Sequence, residues 1–215
     1  MAAITQTLIG EDVPFDRDTH SYTDIDGTRV VSVTQAITLS GLVDYSMVSP
    51  EVLATASARG QLVHQACAII DRGENLDDYE LPAEINPYID AYLKFLREMK
   101  FIADPEWVEQ PIIVDLFGHR IGMTPDAIGS IGGNLVLIER KATVAAHPAW
   151  ALQTAGYSLG AKAAGLQIRQ RFAVQLLRSG NYKLHPHEDR SDFDSFGDVY
   201  RVAALKLKYR LAELD

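Results

Sequence analysis

A chain of 215 residues, 47% hydrophobic and 23% charged, can bury one substantial core and is too apolar for wholesale disorder. Its single cysteine, Cys67, excludes an internal disulfide framework, a multi-cysteine zinc site and an iron–sulfur cluster held by this chain's own cysteines. The net charge of -9 argues against a passive nucleic-acid binder, whose affinity rests on phosphate contacts, but not against an enzyme whose metal site needs acids.

In chain order, the N-terminus lacks a basic segment and a long apolar run, so no signal peptide is expected. Asp26-Gly27 predicts a hairpin, followed by strand-like alternation through Val31, Ser32, Val33 and Thr34. Ser49-Pro50-Glu51 predicts a helix start, with serine as cap and proline in the first turn, and the helix runs to about Gly73. A second helix starts at Asn86-Pro87, with Tyr88, Tyr92, Phe95 and Met99 as its apolar stripe. Strands are predicted from Trp107 to Leu116, His119 to Ile131 and Leu135 to Lys141. The last contains the unbroken run LVLI, expected of a strand covered on both faces. A helix follows Pro148, then a strand at RFAVQLL, a turn at 179–181 and a partner strand at YKLHP. Ser191 and Asp194 predict a capping box opening a helix that extends to about Leu214. This order predicts a mixed α/β or α+β fold. Without repeats or a linker, one domain is expected over 1–215: a lead-in and hairpin over 1–48 and a core over 49–215. No apolar run reaches the ~20 residues of a membrane span. The cysteine usage fits a cytoplasmic location.

Within GMTPDAIGSIGGNLVLIERKA, Gly132-Gly133 predicts a two-residue hairpin turn. With Ile131 and Asn134 flanking it, Asp126 falls opposite Glu139, and Lys141 shares Glu139's face. Opposed Cβ atoms stand roughly 5 Å apart, so two carboxylates there need a cation, and a divalent metal supplies one. The plainer reading is an amphipathic hairpin with surface charges. Glu139 and Lys141, however, end an apolar strand, where charge is costly unless paired or functional. His64 lies one helical turn after Gly60, whose missing side chain favours close approach by a backbone or a ligand. Gln153 and Tyr157 share a helix face at i, i+4. His147, His185 and His187 read as loop residues without a role, and Cys67 as a buried small residue. No phosphate-binding glycine loop is present.

Together these residues resemble the PD-(D/E)XK nuclease superfamily, in its RecB-like and phage-exonuclease branch. RGQLVH resembles the G-x-x-x-H helix and gives His64. TPDAIG resembles the strand with the first metal-binding aspartate, Asp126. VLIERKA resembles the (D/E)-x-K strand, giving Glu139 and Lys141, and HPAWALQTAGYSLG the Q-x-x-x-Y helix, giving Gln153 and Tyr157. The opening FDRDTHSYTDIDGTRVVSVTQAI is also similar to phage-borne members. The resemblance implies a restriction-endonuclease-like mixed central sheet flanked by helices. It implies one or two Mg²⁺ or Mn²⁺ ions held by His64, Asp126, Glu139 and the Arg140 carbonyl; the iron–sulfur cluster that some relatives carry on four cysteines is excluded by the single cysteine. Lys141 would handle water or phosphate, Gln153 and Tyr157 would position it or a backbone phosphate, and Arg59 would contact a terminal phosphate. The implied function is a metal-dependent DNA exonuclease in phage or bacterial recombination, repair or processing. DNA is its partner, and a recombination or strand-annealing protein and self-association remain open. The alternative is a nuclease-like DNA-binding or assembly component that does not cleave. One residue departs from the pattern. The position between acid and lysine is usually apolar, and here it is Arg140, expected to point away from Glu139 and Lys141 and either to reach the sheet edge or to mark an unusual back face.

Overall fold

The computed structural model describes residues 7–17 and 19–214; residues 1–6 of the lead-in, Asp18 of the opening segment and Asp215 lie outside the described residues. The chain opens with short strands β1 (Leu8–Ile9), β2 (Phe15–Asp16), β3 (Ser21–Thr23) and β4 (Arg29–Ser32). Helix α1 (Val33–Ser40) follows directly. The alternation predicted through Thr34 therefore stops at Ser32, whose side chain accepts from the Gln35 N–H while Gln35 returns a bond to the Ser32 N–H. That capping box satisfies two otherwise orphaned donors and switches the chain from strand to helix.

Helices α2 (Pro50–Asp71), capped by Ser49, and α3 (Asn86–Met99) start where the sequence places them. Then come β5 (Ile102–Val108), β6 (Ile112–Leu116), β7 (His119–Met123), β8 (Ala127–Ile131) and β9 (Asn134–Lys141). Helix α4 (Ala149–Ala163), β10 (Gln170–Leu176), β11 (Tyr182–Pro186) and α5 (Ser191–Lys208) complete the order. The fold is mixed α+β, and its strands divide between two mixed sheets, ordered β1-β6-β7-β4-β3-β2 and β11-β10-β9-β8-β5.

Two predicted strands are each broken by this division. The stretch from Trp107 to Leu116 contributes β5 to one sheet and β6 to the other, and His119 to Ile131 contributes β7 and β8 in the same way. Pro111 and Pro125 lie in the crossings; proline cannot donate to a ladder, so both ladders end there. The expected Ser191–Asp194 box does not form. Instead the Asp189 carboxylate accepts the Ser191 N–H at 2.8 Å, and α5 stops at Lys208, short of Leu214.

The two cores meet across β9. Val136 and Ile138 pack with Val63, Tyr92 and Phe95 of α2 and α3, while Leu137 packs with Ile128, Tyr157 of α4 and Phe196 of α5. Both faces of the LVLI run are thus covered. Gly160 lets α4 lie close: a Cβ there would sit 1.9 Å from the Met123 sulfur. The alternation also sets which way the strand's charged end faces: Glu139 and Lys141 turn toward α4, Arg140 toward α2 and α3.

Candidate metal centre

The hairpin turns at Gly132-Gly133, with Ile131 paired to Asn134 and the register running without a slip to Ala127 opposite Ile138. Asp126 and Glu139 lie one step beyond that last pair. Asp126 is therefore free of the ladder. Its Oδ1 stands 2.9 Å from His64 Nδ1, and its Oδ2 accepts the Arg140 backbone N–H. Glu109 brings a third donor, its Oε1 3.8 Å from the same imidazole nitrogen. Ligand atoms of His64, Glu109 and Asp126 all lie within 4.8 Å of one another.

Glu109 was not singled out from the sequence, because the strand predicted across it hides the crossing. Its backbone adopts φ 52°, uncommon for a residue other than glycine, and its N–H donates to the Asp126 carbonyl at 3.1 Å. The one signal in the sequence was Pro111, two residues on.

Glu139 is buried and belongs to a second cluster on the same cavity. Its Oε1 accepts from Lys141 Nζ at 3.0 Å and from Gln153 Nε2 at 2.7 Å. Lys141 also donates to Gln153 Oε1 at 2.8 Å, and Gln153 donates to the Tyr157 hydroxyl at 3.0 Å. The other carboxylate oxygen, Glu139 Oε2, is buried with no hydrogen-bond partner. A cavity of about 820 Å³ opens over His64, Glu109, Asp126, Glu139, Gln153 and Tyr157 together. A Cβ on Gly60 would meet nothing within 4 Å, so no backbone approaches there; that glycine borders the same cavity.

The electrostatics are those of a site short of positive charge. Burial disfavours the charged imidazole, but the Asp126 carboxylate outweighs it and pushes His64 up to about 10. Burial likewise opposes ionisation of Asp126, yet His64 and then Arg140 hold its carboxyl well below the usual range. Burial, reinforced by the neighbouring Asp126 charge, pushes Glu139 up to about 7. A proton on His64 thus supplies the positive charge that the carboxylates require. Imidazole nitrogen and carboxylate oxygens also suit a hard divalent ion, and the orphaned Glu139 Oε2 is the kind of lone pair such an ion satisfies. The donor set fits the metal.

Arg140 faces away from Glu139 and Lys141 but does not reach a sheet edge. It is fully buried, its Nη1 2.8 Å from Asp71 Oδ2 and its Nη2 2.8 Å from the Asp126 carbonyl and 3.2 Å from Glu109. Its guanidinium lies 5.5 Å from the Tyr92 ring centre, and Tyr92 donates to Asp71 at 2.6 Å. Arg59 lies over the Tyr88 ring at 5.9 Å and is not among the residues lining the cavity, where the arginines are Arg17 and Arg72. His147 accepts the Ala149 N–H at the start of α4, His185 meets Trp150 edge-on, and His187 bonds Thr154. None joins the metal cluster. The Cys67 thiol is buried, and burial pushes its pKa up, away from nucleophilic use.

No protein-family model and no curated protein matches the chain. Among solved structures, a candidate exonuclease from Eubacterium rectale is similar at 15% identity and TM-score 0.48, over 72% of this chain and 69% of that one. A protein named SSO0001 is similar at 15% identity and TM-score 0.45, over 84% of this chain and 76% of that one. Likeness of this degree is too loose to transfer a residue role or a reaction. No helix among the described residues is long and apolar enough to cross a membrane.

Proposed function

We infer that the chain is a divalent-metal-dependent nuclease that hydrolyses DNA phosphodiester bonds from strand ends, in phage or bacterial DNA processing. The observation that carries this is the meeting, in one cavity, of the His64–Glu109–Asp126 donors with a buried, half-unpaired Glu139 tied to Lys141. The motif resemblance supplies the substrate and the preference for ends.

His64, Glu109 and Asp126 would hold Mg²⁺ or Mn²⁺, with Glu139 and the Arg140 carbonyl on the adjoining strand. The ion, when bound, polarises the phosphate and lowers the pKa of water. Lys141, held by Glu139 and Gln153, presents an ammonium to the phosphoryl oxygens, where negative charge grows in the transition state. Glu139, whose Oε2 has no hydrogen-bond partner, would serve as an ionised carboxylate that holds the ion or orients the attacking water. Gln153 keeps the carboxylate and the ammonium in register through one amide, and Tyr157 fixes that amide. Arg17 and Arg72 on the cavity wall can meet flanking phosphates.

Digestion of linear duplex, closed-circular duplex and single-stranded DNA, with Mg²⁺, Mn²⁺ or chelator, tests this reading. The expected result is loss of linear and single-stranded DNA, survival of the circle and arrest by chelator. Cleavage of the circle would remove the end requirement. No cleavage of any substrate with either metal would leave the non-cleaving DNA-binding component as the better reading.

A further inference from the structure

A second cavity, of about 410 Å³, shares Thr34 and Gln153 with the first. It adds Lys141 but contains none of the metal donors. Its walls are Ile37 of α1, Val43 and Tyr45 of the following loop, and Trp150 of α4. Tyr45 stands at this wall with 54% of its surface exposed. No arginine lines this space, whereas Arg17 and Arg72 line the other. The region around Lys141 and Gln153 therefore joins a polar lobe, which holds the metal donors and carries Arg17 and Arg72 on its wall, to an apolar, aromatic one.

A nucleotide chain has the same division. Its phosphates are anionic, and its bases are flat and apolar on their faces. With the scissile phosphate at Lys141, the phosphates on one side run past the arginines, and the base on the other side has the aromatic lobe within reach. The volume is that of a small-ligand pocket, which suits a single nucleoside. A base can enter such a pocket only when it is out of its pair.

We propose that this cavity seats one unpaired base next to the scissile phosphate, stacked on Tyr45, so that the protein takes single-stranded or frayed ends. This rests on the nuclease reading above. It is tested by fluorescence-anisotropy binding of short labelled oligothymidylates, intact or lacking the base at one terminal sugar, with Ca²⁺ as the divalent ion and the recovered strands checked for length. Removing the base at one of the two ends should weaken binding about fivefold or more, the lower range for a base–aromatic stack. Tyr45→Ala should bind the intact strand as weakly as the wild type binds the abasic one, and should lose nothing further when the base is absent. Tyr45→Phe should restore the difference. Equal binding of intact and abasic strands, or a Tyr45→Ala loss that simply adds to the abasic loss, overturns the pocket and leaves the nuclease reading intact. Failure of every oligonucleotide to bind overturns both.

Discussion

Replacing Arg140 with methionine keeps most of the side chain's bulk and removes its charge. The guanidinium touches three carboxylates and a carbonyl, and each keeps at least one other partner: Asp71 retains the Tyr92 hydroxyl, Glu109 the His64 imidazole at 3.8 Å, the Asp126 carboxylate the same imidazole at 2.9 Å, and the Asp126 carbonyl the Glu109 N–H. None is left wholly unsatisfied, but Asp71 stays buried as an anion without a counter-charge. Removing one member of a buried ion pair costs roughly 3–5 kcal/mol, and that range is expected here. Burial already raises the Asp71 carboxyl, with Arg140 opposing it. Without Arg140 it rises further, so the folded variant binds a proton more readily than the unfolded chain, and the deficit shrinks as pH falls. Arg140→Met/Asp71→Leu removes both charges and should recover more than half of the loss, because apolar replacement of a buried pair is often neutral. Urea unfolding followed by circular dichroism, in chelator, reads all three proteins at unchanged m-value. A single-variant loss under about 1 kcal/mol, or a double variant no better than the single, would refute this account of Arg140.

Lys141→Ala should lower cleavage by roughly 10²-fold or more while Mn²⁺ binding by calorimetry changes little; wild-type rates would sink the assignment of Lys141. Glu109→Gln should weaken Mn²⁺ binding by about tenfold or more, and unchanged binding would remove Glu109 from the ligand set. The folded-state pKa of His64, about 10, lies above its ordinary 6.5, so its stabilising pair with Asp126 is fully present below 6.5 and is lost as pH rises through 10. In chelator, the urea midpoint should therefore fall across that window, and His64→Gln should flatten the fall. Mn²⁺ binding at neutral pH should also release a proton from His64, read by calorimetry in buffers of different ionisation enthalpy. The release should shrink in His64→Gln to what Glu139 supplies, and an undiminished release would place the proton elsewhere.

The hairpin was legible because its information is local: Gly132-Gly133 selects the turn, the turn fixes the register, and the register brings Asp126 level with Glu139. The starts of α2 and α3 were legible for the same reason, through Ser49-Pro50 and Asn86-Pro87. The division into two sheets was not. Strand propensity runs across the crossings, and only Pro111 and Pro125 argued against continuity. Glu109 was hidden by that error. Alternation gave the face of Arg140 but not what lay on it, because Asp71 comes from a helix 69 residues earlier. The Ser191–Asp194 motif was present in sequence and unused in space, because Asp189 reached the exposed N–H instead.

The two crossings have a mechanical consequence. Glu109 and Asp126 stand where the chain leaves one sheet for the other, and the two crossings are hydrogen-bonded to each other at that point. A cation gripping both side chains would act as a rivet through the joint. Loading the ion would then brace the scaffold as well as arm the chemistry, and a protease should nick residues 109–111 or 124–126 faster in chelator than in Mn²⁺. Any shear of one sheet against the other would change the spacing of the ion's ligands, making the candidate metal centre the molecule's own strain gauge.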